Sequence, residues 1–333
     1  MSVKRFVPAL ARAVALVATI AVFAAGALSL LPGDRARLLA GPQASAHDVE
    51  RLRQALELDA PWTVRTKAAV ARAVHRSPQP GASADAHESC VAAGPLHLDL
   101  GMSQVFRAPV ARLLRARLFP SLALAVGATL ATVATALALG YLAARSARLR
   151  AIVTAGRVVS AIPAFSIGLA LHEVFARRLD WLPLETSLSG AGSAVVSFVL
   201  PMATLALAMV GPYAALAESH FAELKHAPFV QAAVARGRGP AGALWVHGHR
   251  LVLGRLATMA CLDAGLLVGG SVLTERLFRF PGLGSLAVDA LLGRDLPLLV
   301  GVAMLGAAAV AFASAVAEGL RGFFGPRATP TAR

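Results

Sequence analysis

Long apolar runs set the strongest constraint on how this chain of 333 residues can fold. Several of them approach or exceed the roughly 20 residues that an α-helix needs to cross a bilayer. Backbone amides in lipid must be hydrogen-bonded within their own segment, so these runs are expected to be helices. The composition agrees, since 57% of the residues are hydrophobic and only 15% are charged, against about a quarter in a soluble domain. The sequence therefore predicts an all-α, polytopic membrane protein.

We predict six spanning helices, at about residues 9–31, 119–142, 152–175, 194–216, 252–273 and 298–317. The first apolar run is longer than the hydrophobic core of a signal peptide, so we expect an uncleaved helix. The chain then divides into an N-terminal transmembrane helix (1–31), an outer polar region (32–118) and a core domain (119–327) with five helices.

The outer region is expected to contain one ordered helix and one flexible insertion. Residues 48–58 place their apolar side chains near one face of a short amphipathic helix. Residues 66–95 form the insertion, which is rich in Pro, Gly, Ala and Ser around 77–95. A loose group of possible metal ligands lies in or beside it: His75, His87, Glu88, Cys90 and His97. Their spacings match no standard metal motif, so a solvated loop is the favoured interpretation and no metal site is expected.

The positions of lysine and arginine residues predict how the chain is oriented in the membrane, and they argue against nucleic acid as a partner. In the short loops they concentrate at the N-terminus, between the second and third helices, between the fourth and fifth helices, and in the C-terminal tail. The positive-inside rule therefore predicts cytoplasmic termini and an outer 32–118 region. The net charge of +14 fits membrane edges better than a nucleic-acid groove, because aromatic residues do not alternate with the arginines.

A series of short motifs resembles one family of membrane proteins. In chain order they are Leu30-Leu31-Pro32-Gly33-Asp34, Leu98-Asp99-Leu100-Gly101 with Ser103, Ser160-Ala161-Ile162-Pro163-Ala164-Phe165, Trp181-Leu182-Pro183, Gly269-Gly270 with Glu275 and Phe278, Phe280-Pro281-Gly282-Leu283-Gly284, and Arg294-Asp295 with Pro297. Each is weak alone, but their order and spacing are similar to those of the permease subunits of dipeptide, oligopeptide and nickel ABC importers. The resemblance covers nearly all of the chain except about 66–95, and it implies a type I importer permease fold in a bacterial inner membrane.

The loop at 218–250 contains the stretch Val230–Gly237, which resembles the "EAA" loop of these permeases. The resemblance implies that Gln231, Ala232, Ala233 and Gly237 form a coupling helix that docks on a separate ATPase. Small alanines allow close packing into a cleft, and Gly237 can adopt a positive φ that ends the helix. The alternative is an ordinary loop with a glycine cap. The family has an acidic residue at Gln231 and Ile-Pro at Gly254-Arg255, so the effect of these departures on coupling stays open.

Eight further residues are assigned to the translocation path and its outer gate: Pro163, Asp263, Gly269, Gly270, Glu275, Pro281, Gly282 and Gly284. A carboxylate in the middle of a spanning helix is costly, so Asp263 is expected to face a polar path, or to pair with another helix, with His172 as one candidate. The resemblance places the segment from Glu275 to Gly284 at the outer mouth as a gate. The alternative is an ordinary re-entrant cap.

The chain itself is expected to be a transport subunit and not an enzyme. None of its three lysines, Lys4, Lys67 and Lys225, belongs to a phosphate-binding P-loop. The resemblance implies that ATP and Mg are bound by two partner ATP-binding subunits, and that a second permease, expected to be a paralogue, completes the path. A solute-binding protein would deliver small peptides or similar solutes. The alternatives are nickel or a nickel chelate as the solute, an ion-gradient-driven secondary transporter using Asp263, and a degenerate subunit that does not transport.

Overall fold

The computed structural model describes residues 44–55, 90–93, 96–183, 185–186 and 191–324, together with residues 19, 36–37 and 64. Its helices are α1 (Ala46–Ala55), α2 (Val110–Arg145), α3 (Ala147–Ser160), α4 (Ala164–Leu171), α5 (Ala191–Leu224), α6 (Pro228–Ala235), α7 (Pro240–Gly270), α8 (Val272–Leu277), α9 (Leu283–Leu292) and α10 (Leu296–Phe324). A π-helical turn, His172–Arg178, continues α4. Two antiparallel strands, β1 (Cys90–Ala93) and β2 (Leu96–Asp99), form a hairpin.

The helical fold class is confirmed within the described residues. Four helices are long and apolar enough to cross a membrane: Val110–Arg145, Val195–Leu224, Pro240–Gly270 and Leu296–Arg321. They correspond to the second, fourth, fifth and sixth predicted spans. The first predicted span, 9–31, lies outside the described residues apart from Thr19. The described segments contain two strands, those of the hairpin, and an isolated antiparallel bridge between Met102 and Pro109. Strand β1 occupies the end of the predicted insertion at 66–95.

The third predicted span, 152–175, is wrong as a single straight helix. The segments Ala147–Ser160 and Ala164–Arg178 meet at an angle of 103°. Pro163 precedes α4 with φ −54° and ψ 135°, and proline disfavours helical backbone in the residue before it. The apolar run therefore continues across 161–163 although the helix does not.

The polar loop predicted at 218–250 is also largely helical. Helix α5 continues to Leu224, and α7 begins at Pro240, far before the predicted start at 252. Hydropathy marks where a helix leaves lipid and not where it ends, because polar residues such as Glu218 are still good helix formers. Between these long helices the chain has room only for α6.

The described chain divides into two compact units. One comprises the described residues up to Ser121 together with Pro281–Ala309, and the other comprises the described residues of Leu122–Phe280 and those from Val310 onward. In the second unit, helices approach closely through glycine. A Cβ added at Gly211 of α5 would lie 2.3 Å from the carbonyl oxygen of Gly156 in α3, and one added at Gly140 of α2 would lie 2.4 Å from the Ala217 Cβ of α5. Such small-residue contacts are the usual packing between membrane helices.

Candidate functional site

The predicted coupling segment forms the isolated two-turn helix α6. Pro228 lies in its first turn, where the missing N–H costs no helical hydrogen bond. At its end, the Arg238 N–H donates to the Ala233 carbonyl (3.2 Å) and the Gly237 N–H donates to the Val234 carbonyl (2.9 Å). With Gly237 at φ +88°, this is a Schellman cap. The predicted positive φ of Gly237 is confirmed.

The two faces of α6 differ in burial. Val230 and Ala233 are 2% and 3% exposed and pack against Ala243 of α7. Gln231 and Ala232 are exposed, together with the aromatic ring of Phe229. Ala233 therefore fills the chain's own core, and the surface that is open to a partner is the face with Phe229 and Ala232. This division required the structure, because small side chains suit both faces.

Two hydrogen bonds through Lys225 join α6 to α2, and the side chain of Tyr141 joins α2 to α7. The Lys225 ammonium group donates to the Ala144 carbonyl at the end of α2, and the Gln231 amide donates to the Lys225 carbonyl at 2.5 Å. The Tyr141 hydroxyl of α2 donates to the Ala241 carbonyl at 3.0 Å, and its ring packs edge-on against Trp245. A displacement of α6 would therefore be transmitted to α2 and α7.

The residues that depart from the family pattern after this loop lie inside α7. Gly254 is buried, and the guanidinium of Arg255 lies 3.0 Å from the Nε2 atom of His220 on α5. Both are part of a continuous helix that ends at Gly270. The departures therefore do not interrupt α7.

Asp263 is half-buried in the middle of α7. Its Oδ2 atom accepts a hydrogen bond of 2.5 Å from the hydroxyl of Tyr213 on α5. Tyr213 is 1% exposed, so its ring is part of the core. His172, which was the candidate partner, packs its ring against Phe278 with centroids 5.8 Å apart. The partner of Asp263 on another helix is therefore Tyr213 and not His172. The sequence did not indicate this partner, because Tyr213 lies 50 residues away in the chain.

The predicted path residues divide into exposed and buried groups. Pro163, Gly269 and Gly270 are exposed, and a Cβ at Gly270 would meet no atom within 4 Å. Glu275 is fully buried, and its Oε1 atom accepts a hydrogen bond of 2.9 Å from the Ser271 hydroxyl. In this conformation the Glu275 side chain is enclosed by its own unit and joined to the residue that precedes α8; its assignment to the gate stays a prediction.

The segment after α8 turns at a residue that is not glycine. Arg279 has a left-handed backbone, with φ +49°. The Arg279 N–H donates to the Arg276 carbonyl, and the Phe280 N–H donates to the Glu275 carbonyl. In the other unit, Pro281 is half-buried, and Gly282 and Gly284 are buried; Gly282 has an extended backbone (φ −108°, ψ −179°). The Leu283 N–H donates to the Ser121 hydroxyl at 2.8 Å. Gly282 is therefore a buried residue with an extended backbone, and it does not use the left-handed region that glycine allows.

Helices α3 and α5 meet at a second polar contact that the sequence did not reveal. The Ser160 hydroxyl at the end of α3 accepts a hydrogen bond of 3.2 Å from the Gly211 N–H, and it lies 3.5 Å from the Leu207 carbonyl. In a regular helix that N–H would donate to that carbonyl. The Ser160 hydroxyl thus contacts both groups of this turn of α5, directly before Pro212, and proline is a residue at which helices often bend.

Of the metal-ligand types in the outer insertion, His75, His87 and Glu88 lie outside the described residues. Cys90 and His97 belong to the hairpin, where Cys90 is opposite Asp99 and His97 is opposite Ala92. These positions carry no assigned function in the structure.

Comparison with known proteins gives the same family as the motifs. The family model "Binding-protein-dependent transport system inner membrane component" matches residues 136–330. The glutathione transport system permease protein GsiC of Escherichia coli (strain K12) is 32% identical over 275 residues, which cover 81% of this chain and 80% of that protein. The protein of the same name from Salmonella choleraesuis (strain SC-B67) is 32% identical over 273 residues, with the same coverage. The chain therefore belongs to the binding-protein-dependent transport family, as a multi-pass inner-membrane permease subunit of an ABC importer.

Proposed function

We propose that this chain forms half of the translocation path for small peptides of the glutathione type, in an importer driven by ATP on separate subunits. Two observations support the solute class: the relatives named above are glutathione permeases, and the sequence motifs are similar to those of peptide permeases. A second permease, a paralogue or an identical copy, completes the path. Two ATPase subunits hold ATP and Mg, and a solute-binding protein delivers the peptide at the outer mouth.

The observation that carries this proposal is the geometry of α6. It is a short, capped helix between two long spanning helices, and one of its faces is open. We assign the face with Phe229, Gln231 and Ala232 to a cleft on the ATPase, with α6 on the cytoplasmic side as the positive-inside rule predicts. Closure of the ATPase subunits on ATP would displace α6. The contact of Lys225 would pass that displacement to α2, and the packing of Val230 and Ala233 on Ala243 would pass it to α7.

The first test concerns the cap. No atom lies within 4 Å of a Cβ at Gly237, so a substitution there acts through its positive φ and not through a collision. Gly237→Val should unwind the end of α6 and abolish co-purification of the ATPase, while the protein stays in the membrane. Gly237→Asn is the matched control, because asparagine tolerates the left-handed region and should retain association.

The second test concerns the open face. Phe229→Ala should weaken ATPase association and glutathione uptake in proteoliposomes that contain all subunits. Phe323→Ala removes another exposed aromatic ring, near the end of α10, and should leave both unchanged. Full association and full uptake in both Gly237→Val and Phe229→Ala would exclude α6 as the coupling element.

A further inference from the structure

We propose that Asp263 binds the ammonium group of the imported solute within the membrane. Tyr213 is the positioning residue that orients the carboxylate of Asp263. This inference rests on the proposed import of small peptides. It specifies the substrate class as solutes with a free amine, and it assigns the selection of that amine to this chain in addition to the solute-binding protein.

The first argument is the incomplete set of partners around Asp263. The Tyr213 hydroxyl donates to Oδ2, and no arginine, lysine or histidine of the described segments forms an ion pair with the carboxylate. A carboxylate within a spanning helix is costly without a cation. One hydrogen bond from a neutral hydroxyl fixes its direction but leaves its charge uncompensated, so an ammonium group is the complementary ligand.

The second argument is the position of Asp263 along one face of α7. Residues 252, 256, 263, 266 and 270 follow the helical repeat and lie in one stripe. Val252 and Leu256 are 0% exposed, Asp263 is half-buried, and Leu266 is 59% exposed. Gly270, at the end of the stripe, is exposed and has open space at its Cβ position. In the chain alone, this face is buried on the Val252 side of Asp263 and exposed on the Gly270 side. We assign the exposed side to the translocation path, so that Asp263 lies at the boundary between the two parts.

The roles of the two side chains follow from their burial. Tyr213 is 1% exposed and cannot contact a solute, so it acts by holding Oδ2. The Oδ1 atom of Asp263 has no hydrogen bond within the described part of the chain and can accept one from an ammonium N–H. A peptide with a free amino group supplies that donor, and N-acetylation removes both its charge and its donors.

The first experiment measures whether position 263 lies in an aqueous path. The chain has two cysteines, Cys90 and Cys261, so Cys90→Ala with Cys261→Ala gives a background without thiols. In the assembled importer, Asp263→Cys should react with a cationic trimethylammonium methanethiosulfonate reagent. Leu256→Cys, on the buried part of the same stripe, should react at least about tenfold more slowly. No reaction of Asp263→Cys in any nucleotide state would overturn the proposal.

The second experiment measures selectivity. Uptake of glutathione and of N-acetylglutathione is compared for the native assembly, Asp263→Asn, Asp263→Glu and Tyr213→Phe. The same solute-binding protein is used in all four, so its own preference cancels when the uptake ratios are compared. Asp263→Asn should lower the ratio of glutathione to N-acetylglutathione uptake by at least about tenfold, the lower end of what a hydrogen bond to a charged group contributes. Asp263→Glu should restore part of the ratio, and Tyr213→Phe should lower it by a smaller factor.

The outcomes separate this inference from the proposed function. An equal loss of both solutes in Asp263→Asn would overturn the ammonium site while leaving peptide import intact. No uptake of glutathione or of an alanine dipeptide by the native assembly would overturn both.

Discussion

The hydroxyl of Ser103 donates a hydrogen bond of 2.6 Å to Oδ2 of Asp295, across 192 positions of sequence, and both side chains are buried. The same oxygen accepts the Val105 N–H at 3.1 Å, and Oδ1 accepts the Leu298 N–H at 3.1 Å. Asp295 is thus the N-cap of α10, and it also holds the segment that leads into α2. In the sequence, these two residues were noted only as parts of motifs that resemble the permease family. Their contact gives them a structural role.

Asp295→Ala should destabilise the protein by about 3 kcal/mol, because it removes a helix cap and leaves buried donors without an acceptor. Ser103→Ala removes one donor and should cost less. The measurement is the thermal unfolding midpoint in detergent. Asp180→Asn changes an exposed carboxylate and serves as the control. Equal midpoints for Asp295→Ala and the control would contradict the assignment.

Gly211→Ala should disrupt the crossing of α3 and α5, because the new Cβ would lie 2.3 Å from the Gly156 carbonyl oxygen. Overpacking of this kind costs about 1–3 kcal/mol. Gly319→Ala in α10 is the matched control, since a Cβ there meets no atom within 4 Å and alanine favours helix. A loss of folded protein for Gly211→Ala only is expected in fluorescence-detected size-exclusion chromatography. Equal profiles would show that the helices do not approach so closely.

Ser160→Ala should leave the Gly211 N–H without the hydroxyl that now accepts its hydrogen bond, at a cost of about 1–2 kcal/mol. Because this hydroxyl contacts both the Gly211 N–H and the Leu207 carbonyl beside Pro212, the packing of α3 on α5 should change as well. Substrate-stimulated ATP hydrolysis by the assembled importer reports such a change. Ser219→Ala removes a hydroxyl that bonds only the Leu216 carbonyl of its own helix, and it should have little effect.

Arg107→Gly should stabilise the protein by about 0.5–1 kcal/mol, because Arg107 has φ +49° and glycine relieves left-handed strain at some cost in unfolded-chain entropy. Arg279→Gly should gain less, since it also loses an exposed ion pair with Glu185. Arg157→Gly, in the regular helix α3, should instead be destabilising. Unfolding midpoints in that order are expected. Destabilisation by Arg107→Gly equal to that of Arg157→Gly would contradict the role of the positive φ.

Much of the fold followed from the apolar runs. The second, fourth, fifth and sixth spans were predicted because burial in lipid requires a continuous apolar helix. The short amphipathic helix predicted at 48–58 is present as Ala46–Ala55, and its last predicted residues lie outside the described segments. The break at Pro163 was missed because hydropathy measures affinity for lipid and does not report backbone direction. The early start of α7 at Pro240 was missed because a helix can continue beyond its apolar part.

By itself, the sequence determined the class of protein, its family and the positive φ of Gly237, since each depends on residue type and local order. The tertiary structure alone decided which distant side chains meet. Tyr213 donates a hydrogen bond to Asp263, the Ser160 hydroxyl accepts one from the Gly211 N–H of α5, and Ser103 donates one to Asp295. It also decided that Ala233 is buried while Ala232 is exposed. These outcomes depend on how helices cross, and the crossing is set by close packing between residues that lie far apart in the chain.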